Sequence, residues 1–434
     1  MAIPRIAVIG GGSTGAAVTH ELASRGFEVT LIERSNLIGG TSGRFHGLLH
    51  SGARYAVKDE KSAAESALDN EVIAKIAPHS VDDTGGIFVS LSGDEQTYLD
   101  EFEKGCKKAN IPIEQLDVKK LLDSEPFLSK SIETAFRVPD KVINSFRFIT
   151  SLLLTAKSEG AKIRLNTEVT GFETEGKNVK KIKVKDSLSG KIESIDTDYV
   201  VNASGPWITK ILEMLGVNSV KTIASAGTMA VFDRKFSNFV VNRLRPPSDG
   251  DIIVPFFGKS IIGTTSFIVE DPDKVEIDPD DPKFLLEEGS KLIPAIKNQP
   301  IERYYAGVRP LIAAGDESNQ RGITRDFKIF DHEETDGLNG IASIGGGKLS
   351  TSHQIGKEVG DFISKKFGML EGSKTDSIKL LWPEINDSSI AAVSKQSGIP
   401  ERFVRMLAFE SKDKTYGDIY YPARDLINAA LLFS

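Results

Sequence analysis

The chain has 434 residues, more than a single core sustains, so more than one domain is expected. Its 40% hydrophobic and 26% charged residues exclude a disordered class, and a formal charge of −7 gives no support to nucleic-acid binding. One cysteine, Cys106, excludes an internal disulfide and any iron–sulfur cluster held by four cysteines of this chain. It reads as a small buried apolar residue.

The first strand begins almost at once, which leaves no room for a signal peptide, and no run of about 18 apolar residues occurs. The expectation is a cytoplasmic protein, peripheral to a membrane at most. Arg5 to Ile9 reads as a buried strand, Thr14 to Arg25 as a helix and Glu28 to Glu33 as a second strand. The turn between the first two is Gly10-Gly11-Gly12-Ser13-Thr14-Gly15, a Gly-x-Gly-x-x-Gly pattern in a βαβ unit. Gly10 permits the tight turn, Gly12 lets a pyrophosphate reach the backbone, and Gly15 lets the helix pack on the sheet. The pyrophosphate would sit on the free N–H groups and positive dipole end of the helix. Glu33, about 18 residues past Gly15, suits the ribose hydroxyls and would repel a 2′-phosphate. The unit therefore predicts NAD or FAD rather than NADP.

Five glycines, two histidines and two arginines crowd the segment from Gly39 to Tyr55, a positively charged loop lying against a ligand. Helices are expected from Lys61 to Ile76, Glu95 to Ala109 and Leu116 to Leu122, with a strand at Gly86 to Leu91. Ser145 would cap a helix running to Ser158, and Ala161 to Leu165 would follow as a strand. Val179 to Asp186 and Lys191 to Thr197 alternate around Ser189-Gly190 as a hairpin. The strand Tyr199-Val200-Val201 ends in Asn202-Ala203-Ser204-Gly205-Pro206-Trp207, delivering backbone to the edge of a parallel sheet. From Lys221 to Tyr305 the signals are mostly strands, interrupted by an acidic, proline-punctuated stretch from Asp271 to Pro282 and a helix from Lys283 to Ile293. Ile341 to Thr351 is a strand, a triple glycine and a helix start, a second helix N-terminus for a ligand.

These stretches, together with His50-Ser51-Gly52-Ala53-Arg54-Tyr55, Gly263-Thr264-Thr265-Ser266, Gly307-Val308-Arg309-Pro310-Leu311, Thr324-Arg325-Asp326 and Gly346-Gly347-Lys348-Leu349, resemble the FAD-dependent glycerol-3-phosphate dehydrogenases. Within that family the N-terminal stretch is most similar to the flavin-binding A subunit of the anaerobic enzyme. The resemblance implies a flavoprotein of the D-amino-acid-oxidase type. Its α/β architecture would be a discontinuous Rossmann-like FAD-binding domain (1–83, 145–215 and 321–372) with an inserted antiparallel-sheet substrate domain (84–144 and 216–320). A helical appendage would occupy 373–434.

By the same resemblance, Gly10, Gly12, Ser13, Thr14, Gly15, Glu33, Arg34, Thr41, Ser42, Val169, Ala203, Gly205, Gly307, Gly346, Gly347, Lys348 and Leu349 would hold FAD. Arg54, Tyr55, Arg309, Arg325 and Lys348 would bind the substrate, with His50 and Arg309 catalytic. Two positions depart from the pattern. Ser350-Thr351-Ser352-His353 replaces a threonine pair, tyrosine and arginine, and Ala226-Gly227 stands where the anaerobic enzyme has a lysine before glycine. The cysteine-rich domain into which that enzyme continues is outside this sequence.

The chemistry asks for cations to hold a phosphate dianion and a group to take a hydroxyl proton while the hydride goes to flavin N5. Arg54, Arg309, Arg325 and Lys348 suit the first task. His50 suits the second, with His353 a weaker choice. The implied reaction is oxidation of glycerol 3-phosphate to dihydroxyacetone phosphate, with electrons passing to a quinone, a partner subunit or another acceptor. Alternatives are a 2-hydroxy-acid or amino-acid substrate and a catalytically silent flavin-binding subunit. No metal site is expected, because glycines around His46 and His50 oppose a helix there. Ser204-Gly205 lacks the elbow of a hydrolase.

Overall fold

The computed structural model describes residues 2–312, 327–369, 371–382, 386–406, 415–416 and 421–422, without the side chains of 396–397 and of the last two pairs. Arg325 falls outside the described residues.

The strand β1 (Arg5–Ile9), the helix α1 (Ser13–Ser24) and the strand β2 (Glu28–Ile32) form the expected βαβ unit. β1 and β2 pair in parallel, Ile6 against Val29 and Ile9 against Ile32. They lie inside a six-stranded sheet whose order is Lys328–Asp331, Ile341–Gly345, Tyr199–Asn202, β1, β2, Lys162–Arg164. Every pair in it is parallel except the edge pair Lys328–Asp331 with Ile341–Gly345. β1 has its sequence neighbour β2 on one side and the much later Tyr199–Asn202 on the other. The chain's progression therefore reverses beside β1, and a crevice opens at the C-terminal ends of these strands, where such sheets take their ligands.

α1 lies unusually close to the sheet and to its neighbours. A Cβ on Gly15 would stand 1.8 Å from the Gly10 carbonyl oxygen, so only glycine allows this approach. On its outer side the helix Ser352–Phe367 crosses α1, where a Cβ on Gly356 would meet the Ala17 carbonyl oxygen at 3.0 Å. There Arg25 pairs with Glu21 at 2.6 Å, both side chains fully buried, and with Asp361 at 2.7 Å.

The helix α2 (Glu60–Ile76) is capped by Asp59, whose side chain accepts the Ser62 N–H at 3.0 Å. The helix Ser145–Ser158 has the expected extent, but its cap is Asn144 rather than Ser145. The Asn144 side chain accepts the Arg147 N–H at 3.0 Å. Both residue types cap well, so the sequence alone did not place the boundary to within one residue. The hairpin Asn178–Asp186 with Ile192–Asp196 forms as expected and gains a third strand, Thr167–Glu175.

A second sheet runs in the order Phe267–Ile268, Thr222–Phe232, Lys259–Gly263, Ile252–Phe256, Val240–Arg243, Gly86–Leu91, Ile132–Val138, Glu114–Gln115, and Arg303–Ile312 also pairs along Thr222–Phe232. It is antiparallel except that Val240–Arg243 and Gly86–Leu91 pair in parallel, a departure from the antiparallel expectation. The helix Asp280–Leu292 covers one face through Leu285 and Leu292, which pack with Ile253, Ile262 and Phe232. Beyond 373 the described residues include the helices Asp387–Ser397 and Glu401–Arg405 and the paired short strands Thr415–Tyr416 and Tyr421–Pro422. Among the described residues no helix is long and apolar enough to cross a membrane.

Two buried histidines make this fold sensitive to acid. Burial, assisted by His353, lowers the pKa of His20 to about 4, and burial with Arg147 nearby does the same for His79. Once unfolded, both would titrate near 6.5. Between about pH 6.5 and 4 the unfolded chain thus binds protons that the folded one refuses, so stability falls as pH drops through that window. Thermal melts should show a midpoint roughly 5 °C lower at pH 5 than at pH 7. His20→Gln should flatten the dependence, and an unchanged slope would remove His20 as its source.

Candidate active site

A cavity of about 1550 Å³ opens where the C-terminal edge of the first sheet faces the second sheet. That volume exceeds the usual span for a single small ligand, about 300–1,000 Å³, and suits a dinucleotide with a small substrate beside it. All the site residues read from the sequence that the structure describes line this cavity, except Gly15 and the weaker candidate His353. Gly15 serves it from behind, by the close packing of α1.

At the first sheet the glycine turn takes the form its sequence demands. Gly10 has φ +105°, and a Cβ there would stand 2.6 Å from the Ala203 carbonyl oxygen. Gly12, Ser13 and Thr14 present the first turn of α1 to the cavity, where helix N–H groups lack intrahelical partners. Ser42 reaches over from the glycine-rich loop, its Oγ accepting the Ser13 N–H at 2.9 Å. Glu33 is fixed by its own neighbours. One carboxylate oxygen accepts the Gly11 N–H at 2.7 Å, and the other accepts the Ser35 N–H and Oγ–H at 2.9 and 2.8 Å. Val169, Ala203 and Gly205 continue this wall.

The glycine-rich loop is pinned between the sheets. Thr41 Oγ1 donates to the Val308 carbonyl, and the Tyr305 hydroxyl donates to the Phe45 carbonyl at 2.9 Å. Gly307 lies directly under this loop, where a Cβ would be 1.9 Å from the Arg44 carbonyl oxygen.

The cations reach the cavity in different states. Arg54 donates through Nη2 to the Ser248 carbonyl at 3.3 Å and to Asp251 at 3.1 Å, an acid that also holds Arg245 at 2.7 Å. Arg309 is braced by Ser225 Oγ at 3.3 Å, the Ala226 carbonyl at 3.2 Å, Ser266 Oγ at 3.4 Å, the Thr265 carbonyl at 3.0 Å and Thr264 Oγ1. Gly227 makes room for this guanidinium, since a Cβ there would stand 2.3 Å from Arg309 Nη2. Lys348 differs. Its buried ammonium has no hydrogen-bond partner among the described residues and lies 4.1 Å over the Tyr55 ring. Gly346, Gly347 and Leu349 flank it on the lining, and the His50 ring stands 5.4 Å from that of Tyr55.

The glycine turn, Glu33 and the cavity's size fit the ADP half of a dinucleotide. A family model described as FAD dependent oxidoreductase, DAO, matches residues 5–362. The chain belongs to the DAO family of FAD-dependent oxidoreductases. This flavoprotein is 39% identical over 378 residues to the A1 subunit of the anaerobic glycerol-3-phosphate dehydrogenase of Haloferax volcanii, with 84% of this chain and 64% of that protein covered. It is 35% identical over 412 residues to the A subunit of the anaerobic glycerol-3-phosphate dehydrogenase of Escherichia coli K12, covering 94% of this chain and 76% of that protein. The chain thus spans about two thirds to three quarters of the length of these two relatives. In fold it matches the FAD complex of the Bacillus halodurans glycerol-3-phosphate dehydrogenase with a TM-score of 0.68 at 22% identity, covering 94% of this chain and 75% of that one. Its cofactor is FAD, and the first turn of α1 is open to so anionic a group.

Several lining residues escaped the sequence reading. Trp207 and Thr264 lay inside motifs already quoted, and Arg44 lay inside the loop read as positively charged, but nothing local distinguished them from their neighbours. Asp251, which holds Arg54, had no sequence signal at all. His353 does not line the cavity. It is buried behind it, 3.4 Å from Asp69 and 3.2 Å from Asp376, which excludes it from proton transfer in the site. Cys106 is buried, and burial pushes its thiol up to about 12, as an inert apolar residue requires. Among the described residues no cluster of three or more His, Cys, Asp or Glu is placed to hold a metal ion.

Replacing Glu33 by alanine removes a charged acceptor from Gly11 and Ser35 and from any ribose hydroxyl. Apoprotein of Glu33→Ala should bind FAD ten- to a hundredfold more weakly in a fluorescence titration, the equivalent of about 1.5–3 kcal/mol. An unchanged dissociation constant would take Glu33 out of the cofactor site.

Proposed function

We propose that this flavoprotein oxidises glycerol 3-phosphate to dihydroxyacetone phosphate. The observation that carries the reading is the Lys348 ammonium, buried in a cavity that Arg54 and Arg309 also line and without a hydrogen-bond partner among the described residues. A buried, unpartnered charge is costly until an anion meets it, and a phosphomonoester dianion is such an anion. The names of the relatives at 39% and 35% identity support the same substrate.

Bound FAD supplies the hydride acceptor, at its N5. The chain's own residues do the rest. Lys348 and Arg309, with Arg54 and Arg325, bind the phosphate and orient the adjacent carbinol. Tyr55 holds the Lys348 ammonium by the face of its ring. His50 takes the hydroxyl proton, since a histidine exchanges protons near neutral pH. Arg54 shares its charge with Asp251, so Lys348 and Arg309 carry more of the attraction. Electrons then leave to an acceptor, either a partner subunit or a quinone, and the relatives' designation as subunits supports the former. In this reading, residues 1–83, 145–215 and 321–372 hold the cofactor, and 84–144 and 216–320 present the substrate.

Holoprotein should lose its yellow colour when mixed anaerobically with glycerol 3-phosphate. If a 2-hydroxy acid or an amino acid bleaches it and the phosphate does not, the substrate assignment is lost. Lys348→Met should raise KM for glycerol 3-phosphate roughly thirtyfold, about 2 kcal/mol, while the protein still binds flavin. Steady-state kinetics with wild-type KM would remove Lys348 from phosphate binding.

A further inference from the structure

The acidic, proline-punctuated stretch adds a wall to the cavity apart from the glycine turn, the glycine-rich loop and the phosphate-facing cations. Residues 269–279 run from the end of Phe267–Ile268 to the start of Asp280–Leu292, and Pro272, Asp273, Val275 and Ile277 line the cavity. The root of this stretch belongs to the second sheet. The Val269 N–H donates to the Ala224 carbonyl at 2.9 Å, and Phe267, Val269 and Val275 pack on Ala224, Ala226 and Val308.

Its tip belongs to the first sheet. Asp273 Oδ1 accepts Arg34 Nη2 at 2.6 Å and the Trp207 indole N–H at 2.9 Å, while Oδ2 accepts Lys210 Nζ at 2.9 Å. Lys210 Nζ also donates to Asp271 at 2.7 Å. The Arg34 guanidinium lies 4.2 Å from the Trp207 ring centre, so two of the donors that meet Asp273 also hold each other.

The latch sits over the part of the cavity that receives the ADP half of the cofactor. Arg34 directly follows Glu33, and the Trp207 ring abuts Gly40, where a Cβ would meet it at 3.2 Å. Two residues past Gly40, Ser42 holds the Ser13 N–H at the start of α1. We propose that residues 269–279 form a strap, rooted on the second sheet by apolar contacts and latched to the first by Asp271 and Asp273, that closes over the ADP half of FAD and sets how long it is retained. The proposal rests on FAD being the cofactor and is independent of the substrate.

Burial would raise the Asp273 pKa, but hydrogen bonds from Arg34, Lys210 and Trp207 outweigh it and bring the pKa down to about 2. The latch is therefore charged at any working pH, and salt rather than acid opens it. Its side chains are about two-fifths exposed, within reach of mobile ions.

The test follows FAD release from holoprotein into excess of an apo-flavoprotein trap, read by flavin fluorescence at low and high salt. Wild-type release should quicken with salt. The double variant Asp271→Asn/Asp273→Asn should release FAD about tenfold faster at low salt and lose most of the salt dependence. Glu276→Gln removes a charge from the same stretch without touching the latch and should behave as wild type. Arg34→Gln/Lys210→Gln breaks the latch from the other side and repeats the measurement if the aspartate variant fails to fold. In a Trp382→Phe background Trp207 is the one remaining tryptophan, so its emission should shift with salt in the apoprotein and not in the aspartate variant. Equal release rates and equal salt slopes in wild type and both double variants would overturn the proposal. So would a Trp207 emission indifferent to the latch.

Discussion

The structure depends on how closely three stretches of backbone approach at the C-terminal edge of the first sheet. Gly15 lies against the Gly10 carbonyl, and Gly10 lies against the Ala203 carbonyl, at separations that leave no room for a Cβ on either glycine. Any side chain there would push α1 off the sheet and withdraw its first turn from the cavity. The bonds that shape the rest of that wall, Glu33 to Gly11 and Ser42 to Ser13, start from atoms of the same turn. The opposite wall repeats the device, since Gly307 lets the glycine-rich loop lie directly on the strand Arg303–Ile312. The cavity is thus bounded largely by main chain, which is why scattered glycines rather than large side chains mark it in the sequence.

A protein of net charge −7 keeps several cations around one cavity, and they are held by three different means. Arg34 and Lys210 face Asp273, Arg54 faces Asp251, Arg309 is braced by hydroxyls and carbonyls, and Lys348 rests on a ring. These differences decide what each can offer a ligand. An arginine sharing its charge with a buried carboxylate attracts an anion less than one braced by neutral acceptors, because the carboxylate repels what the guanidinium attracts. Neutral bracing leaves the net charge of Arg309 uncompensated and fixes the plane of its fork. Net charge, a sum over the whole surface, carries no trace of this local arrangement.

Much of the fold was legible because it rests on short-range rules. The βαβ unit, the hairpin around Ser189-Gly190 and the helix to Ser158 follow from periodicity and turn chemistry, and the structure contains each of them. The cavity-lining residues were legible for a different reason: motifs spread from Gly10 to Leu349 match one family in unbroken order. What escaped was long-range pairing. Asp251 holds Arg54 across 197 residues and Asp273 holds Arg34 across 239, and neither acid has a local pattern to announce it. The third strand, Thr167–Glu175, was missed because it exposes one edge and alternates weakly. His353 looked available as a stray histidine near a glycine turn, but it faces inward, toward Asp69 on α2.

The two ways in which the sheets are tied across the cavity are not equivalent. On the side of the glycine-rich loop the ties are neutral hydrogen bonds, Thr41 to Val308 and Tyr305 to Phe45, and close packing at Gly307. Such contacts are indifferent to ionic strength and resist opening, because buried backbone groups left without partners are costly. On the side of residues 269–279 the tie is a cluster of half-exposed charges whose members find water readily when separated. The free-energy cost of opening is therefore lower along the second side. Glu33 and the first turn of α1, which would hold the ADP half of the cofactor, line the cavity on that side. A cofactor held by main chain on one wall thus has its lowest barrier to exchange at the wall made of ion pairs.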